Sequence, residues 1–363
     1  MFRSKRSALV RRLWKCRAGC DNNNDDGEPG ETEADLELKT TSQSIFKRLK
    51  DRQLELLVQA LESKGGAISS CVLLAKGDLR LGRRTVCPRV VLCQLFRWPD
   101  LRHSYELKPL TFCCDHARNQ GNDDSLICCN PFHLSRVCGP ESPPPPYSQL
   151  PMDTYQLEAP DTGPQESTET GASNTAFTHH NYTDLKDSHC ASQPIHWCNV
   201  AYWELRSRVG RLYQVNHQSA NIFQELPHGD GLCLGLLDRE CRTESVIRTR
   251  TKIGYGVTIS REQDGVWAYN RSNHAMFVNS PTLDTPNSRT LSVWKVSPGY
   301  SIRIFDYEKS ELLRRTRNPE LMDGPYDPNS VRISFVKGWG PCYSRQFVTS
   351  CPCWIEIIFN LPR

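Results

Sequence analysis

The chain has 363 residues, with 45 Lys and Arg against 41 Asp and Glu, a formal net charge of +4. So small an excess sets no whole-chain preference for nucleic acid. The absence of an apolar run of transmembrane length, and of an apolar core behind the basic N-terminus, excludes a spanning helix and a secretory signal, so no direct membrane insertion is expected. Seventeen cysteines without such a signal point to reduced thiols and bound metal rather than to a disulfide framework.

Residues 1–20 carry Arg3, Lys5, Arg6, Arg11, Arg12, Lys15 and Arg17 and no acid. This reads either as a nuclear-import or nucleic-acid patch or as a solvated basic tail. Residues 21–37 carry eight acids and no base, so residues 1–40 are expected to be a basic then acidic disordered tail. From Ser42 to Ser63, Ile45, Leu49, Leu56 and Ala60 recur at helical spacing, and Gly65-Gly66 ends the helix.

Cysteine and histidine are dense between residues 71 and 138. In Cys128-Cys-Asn-Pro-Phe-His133 a thiol and an imidazole stand five residues apart across a proline turn. With two thiolates from earlier strands they can close on one tetrahedral ion, for which zinc has the right taste in ligands. The competing reading is a set of buried free thiols. Residues 140–195 are proline-rich and nearly without aliphatics, which predicts a disordered linker. Within it Pro144, Pro145, Pro146 and Tyr147 form P-P-x-Y, a preset polyproline II ligand for WW domains. A stiff spacer is the alternative.

From residue 196 the chain alternates apolar and polar in short runs: 197–205, 211–215, 253–259, 266–269, 291–296, 300–305, 331–336 and 354–359. Asp264-Gly265 signals a hairpin. Lys309 to Met322 reads as a helix that Asn318-Pro319 shortens or breaks. Many short strands predict a β-sandwich. The last two flank KGWGPCYSRQ, residues 337–346, a Gly-hinged loop expected to expose Lys337, Trp339, Tyr343 and Arg345. A second basic group, Arg248, Arg250 and Lys252, precedes the strand expected at Ile253, and its plain reading is a charged strand edge. G-x-S-x-G, P-loop and H-E-x-x-H are all missing, so no enzyme is expected.

VKGWG…YSRQ…SCPCW resembles the receptor-docking loop of the SMAD family, HWCNVAYWE and DGVWAYNRS resemble its C-terminal MAD-homology domain, and QLFRWPDL with CCNPFH resembles its N-terminal one. Receptor-activated members continue past the last strand into a helix and a Ser-x-Ser tail. Here the sequence stops four residues after Phe359, which points to the inhibitory branch. DGPYDPNSVRISF and NLPR are similar to the member of that branch preferring bone morphogenetic protein (BMP) receptors.

The resemblance implies an α+β chain: a small zinc-stapled α/β domain at 41–139, the linker at 140–195, and a C-terminal β-sandwich flanked by helices and loops at 196–363. It implies Cys71, Cys113, Cys128 and His133 as ligands of a structural Zn2+, with Cys114 and Cys129 as open alternates. It also implies a receptor groove of Arg248, Lys252, Lys337 and Arg345, and a linker motif that recruits WW-domain HECT ubiquitin ligases. The function implied is antagonism of TGF-β superfamily, especially BMP, signalling. The protein would bind activated type I receptors, compete with receptor-activated SMADs and engage these and common-mediator SMADs, in nucleus and cytoplasm. The alternative is a nuclear transcriptional corepressor. The family's DNA-reading positions fall on Asp78, Arg80 and Thr85, so DNA binding is expected to be weak or absent.

Overall fold

A computed structural model describes residues 5–18, 33–65, 69–77, 79–81, 84–118, 126–139, 196–225, 231–284, 292–316 and 327–360. The linker and its Pro144, Pro145, Pro146 and Tyr147 lie outside these residues, as do Asp78 and the acidic stretch up to residue 32.

The basic start is not a free tail. It forms helix α1 (Lys5–Lys15), which buries Leu9 and Leu13. Its cations meet acids some fifty residues ahead: Lys5 with Glu55, Arg6 with Asp51 and Arg12 with Glu62, each at 2.6 Å. The single helix expected over 42–63 is two, α2 (Glu33–Arg48) and α3 (Asp51–Glu62). Arg6 explains the break. Its Nη2 donates to the carbonyls of Phe46 and Leu49 at 2.7 and 2.9 Å, satisfying the open end of α2 from outside. The Lys50 N–H then donates to Gln53 Oε1 at 2.7 Å and starts α3. Apolar stripes on these helices pack on α4 (Pro88–Phe96) around Ile45, Phe46, Leu54, Leu57 and Leu92.

Around this helical core run β1 (Leu73–Ala75), the hairpin β2 (Leu79–Leu81) and β3 (Arg84–Val86), β4 (Leu107–Pro109), the short helix α5 (Cys114–Arg118), β5 (Leu126–Cys128) and β6 (Leu134–Val137). Strands β1 and β5 pair antiparallel.

The C-terminal half is the expected sandwich. Its strands are β7 (Cys198–Glu204), β8 (Ser207–Val215), β9 (Ser219–Phe223), β10 (Gly231–Cys233), β11 (Val257–Glu262), β12 (Gly265–Asn270), β13 (Met276–Asn279), β14 (Trp294–Val296), β15 (Tyr300–Asp306), β16 (Ser330–Phe335) and β17 (Trp354–Phe359). Helix α6 (Glu244–Arg250) precedes β11, and α7 (Tyr307–Thr316) follows β15, ending before Asn318-Pro319 as expected. One sheet runs β14-β13-β16-β17-β7-β8. Its inner face presents Val200, Val331, Ile333, Ile355 and Ile357 to Ile259, Val266, Ala268, Ile302 and Ile304 of the other sheet.

One expectation changes, and the expected hairpin forms with its turn one residue earlier. Residues 253–256 turn rather than extend, because Gly254 and Gly256 sit at φ of 54° and 55°. The turn joining β11 and β12 is Gln263-Asp264, since Glu262 already pairs with Gly265.

The second sheet crosses from one half of the chain to the other, in the order β10-β9-β11-β12-β15-β6-β4. Strand β6 lies parallel to β15, with Arg136 N–H donating to Gly299 O at 3.1 Å and Cys138 N–H to Ser301 O at 2.8 Å. Between them the buried hydroxyls of Ser301 and Ser135 bond at 2.7 Å.

Candidate functional site

Cys71 lies two residues before β1, and the β1–β5 register sets Leu73 opposite Cys128. Cys113 stands just before α5, and His133 closes a short 3-10 turn that Asn130 caps by accepting the Phe132 N–H at 3.0 Å. The ligating atoms of Cys71, Cys113, Cys128 and His133 all lie within 4.8 Å of one another. A tetrahedral zinc with Zn–S of about 2.3 Å holds its sulfurs about 3.8 Å apart, so the set has the right size. Cys129 points the other way, into the helical core, and Cys114 turns its thiol toward Asp115.

The surroundings fit a metal. His133 Nε2 is 2.9 Å from the Ser69 carbonyl, which can only accept, so Nε2 carries the proton. Nδ1 is left to present its lone pair, 3.3 Å from Cys71 Sγ and 3.6 Å from Cys128 Sγ. Contact from Cys113, with Cys128 and His133, holds the Cys71 thiol far below its ordinary range. The thiols of Cys128 and Cys71 push Cys113 far above it. Three sulfurs so crowded share negative charge poorly without a cation among them. Asp115 accepts the Cys128 N–H and pairs with Arg89, whose Nε reaches Cys128 O at 3.0 Å. Sequence reasoning passed over Ser69 and Asp115, and read Arg89 as a phosphate holder rather than as a support of this cluster. Asn130 was visible as the Asn-Pro turn signal.

The loop at 337–346 is built differently from its expected form. Trp339 is buried at 2% exposure among Phe277, Cys351 and Trp354. Of the other residues expected on display, Lys337 is exposed and Tyr343 and Arg345 are half-buried, while Pro341, Cys342, Ser344 and Gln346 reach solvent as well. Val336 has φ of 67°, and Lys337 N–H donates back to Phe335 O at 2.7 Å, a tight γ-turn that a β-branched residue adopts only under constraint. The Lys337 carbonyl accepts from Ser334 Oγ at 2.7 Å and lies 3.5 Å from Cys351 Sγ. Gly338 is required, since a Cβ there would stand 2.6 Å from the Tyr343 ring. The loop is therefore a fixed platform for Lys337.

Arg248 and Lys252 are exposed, on and just after a helix rather than on a strand edge, and Arg248 pairs with Glu244. Arg250, on the same helix, turns inward. Helix α6 abuts the loop's base, where Cys353 Sγ lies 3.8 Å from Val246 O. Hairpin β2–β3 is formed, with Arg80 opposite Thr85.

The MH1 domain family matches residues 38–138 and the MH2 domain family residues 195–360. Mothers against decapentaplegic homolog 6 of Gallus gallus is 57% identical over 331 residues, covering 90% of this chain and 76% of that protein. Homolog 7 of Rattus norvegicus is 44% identical over 434 residues, covering 99% and 100%. Homolog 7 of Homo sapiens is 49% identical over 345 residues, covering 90% and 79%. With both domains matched and identity of this extent, the chain belongs to the SMAD family of non-enzymatic signalling and transcription regulators, in its inhibitory branch.

Proposed function

We propose that the chain antagonises TGF-β superfamily signalling, BMP signalling above all, by occupying activated type I receptors. The observation that carries this reading is the constrained loop that holds Lys337 in solvent, with Arg345 on the same loop and with the helix leading through Arg248 to Lys252 packed on Cys353 beyond it. Such cations suit a phosphorylated, acidic receptor segment. Occupancy excludes receptor-activated SMADs, and the same domain engages them and common-mediator SMADs directly. Cys71, Cys113, Cys128 and His133 hold a structural Zn2+ that staples the N-terminal half. The chain works in both cytoplasm and nucleus, where it also meets corepressors. Thr85 is exposed on its hairpin with a short side chain, which supports weak DNA binding at most.

Full-length protein is expected to bind a phosphorylated type I receptor cytoplasmic domain and to ignore the unphosphorylated one. Lys337→Glu/Arg345→Glu should weaken binding at least about tenfold at low ionic strength, with the loss shrinking as salt rises. A loss independent of salt would mean folding damage, and binding blind to phosphorylation would remove the receptor reading.

The linker motif recruits a WW-domain HECT ubiquitin ligase to the occupied receptor. Tyr147→Ala is expected to abolish WW-domain binding in a titration while leaving the melting temperature unchanged. Unaltered affinity would leave the prolines as a spacer.

A further inference from the structure

Five buried or half-buried arginines of the described residues fall into two groups. Arg89, Arg136 and Arg250 each meet a carboxylate, on Asp115, Glu106 and Glu204. Arg97 and Arg271 do not. Arg97 Nη1 donates to the carbonyls of Pro131 and Leu134 at 2.8 and 2.7 Å, and Nη2 to the Tyr269 hydroxyl at 3.4 Å. Arg271 Nη2 donates to Gly65 O at 2.9 Å, and its guanidinium lies over the rings of Phe223 and Tyr255. Among the described residues no carboxylate forms an ion pair with either group. Burial lowers the Arg271 pKa, which marks the cost of holding this charge uncompensated.

Both line one cleft of about 580 Å³, walled by the helical N-terminal half on one side and the end of β12 on the other. Lys15, Arg17 and Lys64 stand around it, and its one carboxylate, Glu62, is already tied to Arg12 at 2.6 Å. Arg97, Arg271, Lys15 and Lys64 thus converge where the lining offers no further carboxylate. The volume is that of a small-molecule site, and a guanidinium fork matches phosphate oxygens. Phe112, Phe132, Tyr255 and Tyr269 add ring surface.

We propose that this cleft binds a small molecule carrying several phosphate groups. Such a ligand neutralises Arg97 from the N-terminal half and Arg271 from the C-terminal half at once. It therefore clamps the two halves where β6 meets β15.

The test uses full-length protein, with inositol 1,4,5-trisphosphate as probe in calorimetry and thermal melting. Vesicles containing phosphatidylinositol 4,5-bisphosphate present the same headgroup on a lipid, and co-sedimentation separates the two sources. One saturable site per chain and a raised melting temperature are expected. Arg271→Gln should weaken binding more than about tenfold. Because that side chain is partly buried, Lys15→Gln/Lys64→Gln, at exposed positions, is the second variant and should weaken it about tenfold without loss of fold. Lys337→Glu/Arg345→Glu should bind as the parent does, which separates this site from the receptor reading. No saturable binding, or binding that survives Lys15→Gln/Lys64→Gln but is lost with Lys337→Glu/Arg345→Glu, overturns the proposal.

Discussion

Glu204→Ala is expected to destabilise the chain by about 3–5 kcal/mol, as measured by urea unfolding. Glu204 has no exposed surface and is the counter-charge for a set of arginines. Arg250 Nη1 reaches its Oε1 at 2.9 Å, and Arg242 Nε reaches both oxygens at 2.9 and 3.1 Å. The Tyr202 hydroxyl donates to the same Oε1 at 3.2 Å. Removing the carboxylate leaves two buried or nearly buried guanidiniums facing each other, and that penalty exceeds the value of any one bond lost. Arg248→Ala, two residues from Arg250 on the solvent face of the same helix, should change stability by no more than about 0.5 kcal/mol. The two substitutions matter together because they sit on or against one helix. Arg250 pins α6 inward, and Arg248 and Lys252 are displayed only because it is pinned. Glu204→Ala should therefore also weaken the receptor binding proposed for that basic face. Equal stability of the two variants would show that the cluster organises nothing.

What the sequence reveals and conceals here follows from the range of the interactions. Strands β12, β15, β16 and β17 are legible because alternation is local, and α7 stops where Asn318-Pro319 says it must. Helix α1 is not legible, because seven cations and no acid look like a solvated tail until Asp51, Glu55 and Glu62 come back across it. Trp339 misleads for the same reason. A tryptophan between two glycines looks displayed, yet its pocket is made by Phe277 from a strand some sixty residues earlier and by Trp354 at the far end of its own loop. At the Cys/His cluster, residue types and the Pro-containing turn are visible. The choice of Cys128 over Cys129 is not, because adjacent strand residues face opposite ways and only the β1–β5 pairing says which way is inward. The pairing of β6 with β15 left no signal, since four residues carry too little pattern to name a partner strand.

Removal of metal is the other perturbation expected to be large. Structural zinc sites of this ligand type bind with apparent energies of about 10–16 kcal/mol near neutral pH. A whole domain is stable by only about 5–15 kcal/mol. Chelation, or Cys128→Ser, should therefore release about one zinc per chain and melt the N-terminal half, seen as loss of helical circular dichroism. The sandwich core has no residue in the cluster and should survive. Its edge should not be untouched, because His133 is followed directly by β6, and β6 is the strand bonded to β15. Amide exchange at Arg136 and Cys138 is the sensitive reading, since those N–H groups donate across the junction. Protected amides after zinc release would show that the two halves hold each other without the metal. A fully folded metal-free protein would refute the structural role of the cluster altogether. Loss of protection together with helical signal, while strand signal from the C-terminal half persists, is the outcome that the chain's connectivity predicts.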